Sequence, residues 1–153
     1  MITYIKGDAT QPKNKPAIIC HICNDVKKWG RGFVLALSKR WKEPERQYRR
    51  WGKNPSEFNI PFKLGETQFV PVEEDIIVAN MIGQHDIYPI KGVQPIRYEA
   101  VGNCLEKVYN KAEELGSTVH MPRIGCGLAG GSWKNIEKIL NNTATVDTYV
   151  YDL

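Results

Sequence analysis

The chain has 153 residues, 42% of them hydrophobic and 25% charged, which is the make-up of one soluble globular domain with a core of its own. No run approaches the roughly 18 apolar residues of a membrane span, and four cysteines are too few for a disulfide scaffold. Lysine and arginine (21) exceed aspartate and glutamate (17) by +4, concentrated in "KKWGRGF" and "SKRWKEPERQYRRWGK", which falls short of a dedicated nucleic-acid-binding domain.

The chain opens directly on a strand pattern, "ITYIK" (2–6), without the layout of a signal peptide. Together with the expectation of reduced thiols, this makes the expected location cytoplasmic. "AIICHIC" (17–23) is almost continuously apolar, as expected of a strand covered on both faces. "NDVKKWGRG" is a loop and "FVLALSKRW" (33–41) a helix. A second helix is expected over 43–52, with Pro44 in its first turn and Gly52 near its end. "NPSEFNIPF" reads as turn chemistry. "TQFVPV" and "DIIVANMI" read as strands, and "GQHDIYPIKGVQP" (83–95) as a long loop.

Residues 96–115 carry the strongest helical period. Tyr98, Val101, Leu105, Val108, Ala112 and Leu115 recur in steps of three and four, and Gly116 follows as the residue that ends the helix. "TVHM", a glycine-rich loop "RIGCGLAGGSW" (123–133), a helix near 132–141 and a closing strand "DTYVYDL" complete the chain. Strands alternating with helices predict a three-layer α/β/α sandwich around a mixed sheet, as a single domain over 1–153.

Ligands of such sheets sit beyond the carboxyl ends of the strands. Four segments qualify: "GDAT", "CNDVKKWGRGF", "GQHDIYP" and "RIGCGLAGG". The glycine loop has neither the Lys-Ser/Thr pair of a P-loop nor the spacing of a dinucleotide fingerprint. Glycines before a helix still let backbone N–H groups approach a phosphate, and Gly30 and Gly32 repeat that arrangement before the first helix. Either loop could equally be a tight turn. Asp8 could cap a turn or accept a hydrogen bond from an exocyclic amine. Asn24 could hold a ribose hydroxyl or make a turn. Trp29, Phe33 and Trp133 are core, or walls for a sugar or base.

Cys126 between glycines looks like a nucleophile, yet no histidine stands at a motif spacing, and a small buried thiol is the better reading. Cys20, His21 and Cys23 mimic a metal cluster, but strand alternation sends Cys20 and His21 to opposite faces, so no metal and no cofactor is expected. Gln84, His85 and Asp86 are the polar candidates near a reacting centre. Gln84 could orient water or a ribose, and His85 could act as a base.

The blocks "GDAT", "CHICNDVKKWGRGFVLALSKRW" and "MPRIGCGLAGGSWKNIE" resemble the macrodomain family, which binds ADP-ribose, and their order covers nearly the whole chain. The pattern is most similar to the branch holding terminal ADP-ribose protein glycohydrolase and a chromatin remodeller's macrodomain. Within that branch it is especially similar to bacterial, Streptomyces-type members that remove ADP-ribose from acidic side chains. The resemblance implies that Asp8 and the Ala9 N–H meet adenine. It puts Asn24, Trp29, Gly30, Gly32 and Phe33 around the distal ribose. Gly125, Cys126, Gly127, Leu128 and Ala129 would wrap the diphosphate by backbone, and Arg123 and Ile124 join the ADP-ribose-binding set.

Two departures follow. The glycohydrolase has a Lys after the fourth strand and an Asp after "GCGL"; here the first region reads "MIGQHD" and Ala129 occupies the second position. Hydrolysis would then rest on positioned water, with Gln84, Asn24 or His85 as the catalytic candidates. A non-catalytic reader and an ADP-ribose 1''-phosphate phosphatase are the alternatives. The implied partners are ADP-ribose and ADP-ribosylated proteins, met by a monomer with no membrane or nucleic-acid role.

Overall fold

A computed structural model describes residues 1–153. Six strands, β1 (Ile2–Lys6), β2 (Ala17–Asn24), β3 (Thr67–Glu73), β4 (Ile76–Gln84), β5 (Thr118–Met121) and β6 (Thr148–Asp152), form one sheet in the order β1-β6-β5-β2-β4-β3. Every neighbouring pair is parallel except β3 with β4, so the sheet is mixed as expected. Pro71, which has no N–H to give a ladder, stands in the edge strand β3, where that lack is tolerated.

The four helices are α1 (Phe33–Arg40), α2 (Glu43–Lys53), α3 (Tyr98–Leu115) and α4 (Trp133–Thr143), with a one-turn 3₁₀ helix at Pro55–Phe58 inside the stretch read as turns. They cover both faces of the sheet, which explains the unbroken apolar runs of β2 and β4. On β2, Ile18 and Cys20 join the core under α3 and α4, while Ile19 and Cys23 join the core under α1 and α2. Cys20 and His21 therefore do face opposite ways. A branched side chain fully removed from water in this way contributes roughly 1.5–3 kcal/mol.

The stripe of α3 is buried from Val101 to Ala112, but Leu115 is 45% exposed. The helix begins at Tyr98 rather than at residue 96 and ends at Gly116, whose φ of +65° is left-handed.

Because β1, β2, β4, β5 and β6 run the same way, their carboxyl ends share one edge. Segments 7–16, 25–32, 85–97 and 122–132 all leave from it. The segment read as a long loop is ordered by its own backbone. Ile90 and Val93 exchange two hydrogen bonds across Lys91 and Gly92, both at positive φ, and His85 N–H donates to Pro95 O. No helix is long and apolar enough to cross a membrane.

Candidate functional site

A cleft opens beyond the carboxyl ends of β2, β4 and β5. It has a wide lobe of about 660 Å³ and a narrow one of about 300 Å³, which share Ile22, Arg31, Val34, Gln84 and Leu128. A polar hollow of about 350 Å³ lies elsewhere, along α3 and α4, lined by Asn103, Glu106, Asn110 and Asn142. The cleft is the stronger candidate, because two glycine-bearing loops and a helix start converge on it.

The narrow lobe is built from two backbone features. The first is the glycine loop. Gly131 N–H donates to Gly125 O at 2.7 Å, and Ile96 N–H donates to Ala129 O at 3.0 Å, which fastens the loop to the segment leading into α3. Any side chain at Gly131 would put its Cβ 2.4 Å from Gly125 O, and Gly125 has a φ of +74°. These two glycines are required by geometry. The second is the start of α1. Arg31, Gly32, Phe33 and Val34 all line the lobe. The helix has no side-chain cap and no acidic residue in its first turn, so its positive end is left for an anion.

The wide lobe lies between the loop after β2 and the segment after β4, with Lys28, Trp29 and Arg49 on one side and Ile87, Tyr88 and Pro89 on the other. Trp29 is both wall and core. It is nearly buried, meets His21 edge-on at 5.3 Å, and donates its indole N–H to Ser38 Oγ at 2.8 Å. Gln84 lines both lobes. Its Nε2 donates to Asp86 O at 2.9 Å, which fixes the amide and leaves Oε1 and the second N–H available.

Several sequence expectations take a different form. Asn24 borders the wide lobe with its amide engaged by its own loop. Nδ2 donates to Lys28 O at 2.6 Å, while Oδ1 accepts from the N–H groups of Val26 and Lys28 and from the Tyr48 hydroxyl. Tyr48, buried in α2, also donates to Asn24 O at 2.7 Å. Asn24 therefore shapes the loop. His85 does not line the cleft; its Nδ1 pairs with Asp25 Oδ2 at 2.7 Å.

Asp8 and Ala9 do not line the cleft either. Asp8 Oδ1 accepts from the N–H and hydroxyl of Thr10, each at 2.8 Å, which is the turn-capping role, while its Oδ2 has no partner within the protein. Ala9 is buried beneath the turn. Of residues 123–129, only Cys126 stays out of the cavity. Cys126 is half-buried with its thiol on Ile124 O, and desolvation raises its pKa, which keeps it a poor nucleophile. Trp133 opens α4 outside the cleft, and its indole N–H donates to the Tyr4 hydroxyl at 3.1 Å. Arg123 borders the narrow lobe, bound to both carboxylate oxygens of Asp152 at 2.7 and 3.0 Å.

His21 borders the narrow lobe but is 2% exposed. Asn80 Nδ2 donates to Pro44 O and Gln68 Oε1, so its Oδ1 is the acceptor for His21 Nε2–H at 2.5 Å. Burial lowers the pKa of this imidazole to about 4.

Sequence reasoning missed the cations of the wide lobe. Lys28, Arg31 and Arg49 line it, and no carboxylate lines either lobe. The signal was the clustered charge of "KKWGR". A lysine thus does reach the cleft, from the loop after β2, although the position after β4 lacks one. Lys91 lies at the hairpin tip and does not line the cavity.

No family model matches the chain. A solved Bacteroides thetaiotaomicron protein of unknown function is 52% identical, with a TM-score of 0.94 over 100% of this chain and 98% of that one. A macrodomain protein from Streptomyces coelicolor is 44% identical, with a TM-score of 0.85 over 100% and 99% of the two chains. The mouse chromodomain-helicase-DNA-binding protein 1-like is 29% identical over 98% of this chain, which spans only 17% of that protein. A Candida albicans ADP-ribose 1''-phosphate phosphatase is 24% identical over 99% of both chains.

Proposed function

This chain belongs to the macrodomain family, and on that premise we propose that its cleft binds ADP-ribose and hydrolyses ADP-ribosyl esters on Asp and Glu side chains of proteins. The observation that carries the reading is the narrow lobe, where the uncapped start of α1 faces a backbone-built glycine loop. With Arg31 at its edge and no carboxylate within it, that lobe suits a diphosphate. The Candida relative is named for a substrate containing ADP-ribose, which supports the same moiety as ligand.

The adenine end is assigned to Asp8. From β1 to β2 is three strand spacings, roughly 14 Å, a span suited to a nucleoside diphosphate sugar lying along the strand ends. Asp8 Oδ2 is free to accept from the adenine amine. The distal ribose then enters the wide lobe against Trp29 and Gln84. Gln84 Oε1 orients a water or a ribose hydroxyl toward the ester, and the immobilised geometry supplies the acceleration, since an ester needs only modest polarisation.

Non-catalytic recognition is favoured by one observation: no carboxylate lines the cleft, and His85 is held outside it by Asp25. A phosphatase using His21 is disfavoured, because that imidazole is buried, bound to Asn80 and weakly basic. Incubation with Glu-ADP-ribosylated protein and with ADP-ribose 1''-phosphate separates the three. Release of ADP-ribose from the ester alone supports the proposal, and binding without products from either substrate rejects hydrolysis.

A further inference from the structure

We propose that the wide lobe selects ADP-ribosylated residues flanked by acidic side chains on an extended peptide. The inference rests on the ester-hydrolase reading, since the wide lobe is where the modified side chain would leave the distal ribose.

The sequence suggests a broad basic surface over residues 38–53, but the fold neutralises much of it. Arg40 pairs with Glu73 at 3.7 Å, Arg46 with Glu43 at 2.5 Å, Arg49 with Glu45 at 3.0 Å, and Arg50 with Glu57. Lys28 and Arg31, by contrast, have no acidic partner within 4.0 Å, and both line the wide lobe. Arg49 also lines it; Glu45 engages its Nε, so the two terminal amino groups remain for a ligand. Lys39, Lys42 and Lys53 are unpaired as well, so what marks the lobe is that three cations line it and no carboxylate does.

The form of the lobe favours a peptide. The cations come from one loop and one helix, so they suit separate carboxylates along a chain better than a single phosphate gripped at one point. The facing wall of Ile87, Tyr88 and Pro89, with Tyr88 70% exposed, offers apolar contact to the side-chain stems of such a chain. A nucleic acid strand would need a longer line of free cations, and Arg46 and Arg50 of α2, which would extend the line, are paired. Charges at a partly open lobe act on encounter and orientation, so the preference should fade with salt.

Two synthetic peptides, each with one ADP-ribosyl-Glu and differing only in acidic or neutral flanks, test the idea. The expected result is a kcat/KM about tenfold higher for the acidic peptide at low salt, approaching parity at high salt. Lys28→Glu should abolish the preference, so that the two peptides are turned over with equal kcat/KM, and it should leave the loop folded, because only the backbone of Lys28 bonds to Asn24. Equal kcat/KM for the two peptides, a preference that survives in Lys28→Glu, or stronger competition by an oligonucleotide than by an acidic peptide of equal charge would each overturn the proposal. If neither peptide is turned over, fluorescence polarisation gives the two affinities. A tighter acidic peptide then retains the flank preference while rejecting hydrolysis, and equal affinities reject both.

Discussion

Asp25 and His85 tie the two walls of the wide lobe together. The imidazole Nδ1 lies 2.7 Å from Asp25 Oδ2, and Asp25 Oδ1 accepts the Asp86 N–H at 2.8 Å. One carboxylate on the loop after β2 thus fixes the first two residues beyond β4. Removing it leaves the Asp86 amide without its partner, so Asp25→Ala should cost about 1–2 kcal/mol. Amide exchange at Asp86 and in the hairpin that follows should accelerate. Unchanged exchange there would mean that the pair is incidental.

The same pair assigns different weights to neighbouring residues. Gln84 faces the cleft and His85 does not, so Gln84→Ala should lower kcat by roughly 10²-fold with little change in affinity, the signature of an interaction made in the transition state. His85→Ala should retain most of the turnover. A rate on ester-linked substrate that is full in Gln84→Ala and lost in His85→Ala would reverse the assignment.

Asp8 has two tasks that one substitution confuses. Its Oδ1 caps the turn through Thr10, and its Oδ2 is the proposed acceptor for adenine. Asp8→Ala should weaken ADP-ribose by about 1.5–3 kcal/mol in calorimetry. Asp8→Asn, which keeps an acceptor for Thr10, should preserve folding while still losing affinity. Native affinity in a folded Asp8→Asn protein would remove Asp8 from the site.

The fold was legible because its signals are local. Apolar runs at β2 and β4, the three-four spacing of α3 and the glycine after it can be read in short windows. The glycine loop was legible too, since crowding at Gly125 and Gly131 permits little else. What stayed hidden depends on distant partners. That Asn24 also holds its own loop is invisible until Tyr48, 24 positions on, is seen to meet it. The charge concentrated in "SKRWKEPERQYRRWGK" shows no partners in the sequence, yet Arg40 of α1 meets Glu73 across the fold and Arg50 of α2 meets Glu57. His85 looks like a base until Asp25, 60 positions earlier, is seen to hold its ring away from the residues that line the cleft.

Two glycines of the same loop should respond oppositely. A Cβ at Gly127 meets nothing within 4 Å, and its φ is not positive, so Gly127→Glu should fold normally. It should nevertheless lose ADP-ribose, because an anion would then stand at the proposed diphosphate site. A Cβ at Gly125 would lie 2.8 Å from Ile96 Cδ1 on a left-handed backbone, so Gly125→Ala should cost about 1–3 kcal/mol of stability. Thermal melts combined with titration separate the two. A Gly127→Glu protein with native affinity would reduce the loop to a turn.

Acid should weaken the fold before the carboxylates titrate. His21 and His120 sit neutral in the protein, each with its pKa lowered by burial to about 4 from an ordinary value near 6.5. His120 is held at both nitrogens. Thr118 donates its hydroxyl to Asn14, so Nε2–H donates to Thr118, and Nδ1 accepts from the Tyr151 hydroxyl, which in turn accepts Lys13 N–H. Protonation would break that order and strand a charge beneath the segment that follows β1. Well above pH 6.5 both histidines are neutral in the folded and unfolded chain, so neither contributes to pH dependence there. As pH falls from 6.5 toward 4 the unfolded chain takes up protons that the folded one refuses, and stability drops throughout that window. The full gap corresponds to about 3 kcal/mol per histidine. Urea unfolding followed from neutral pH down to about pH 4.5 should therefore show a steady decline, and His120→Gln should roughly halve its slope. A midpoint that stays level across that interval would show that the buried imidazoles are not the groups that set acid stability.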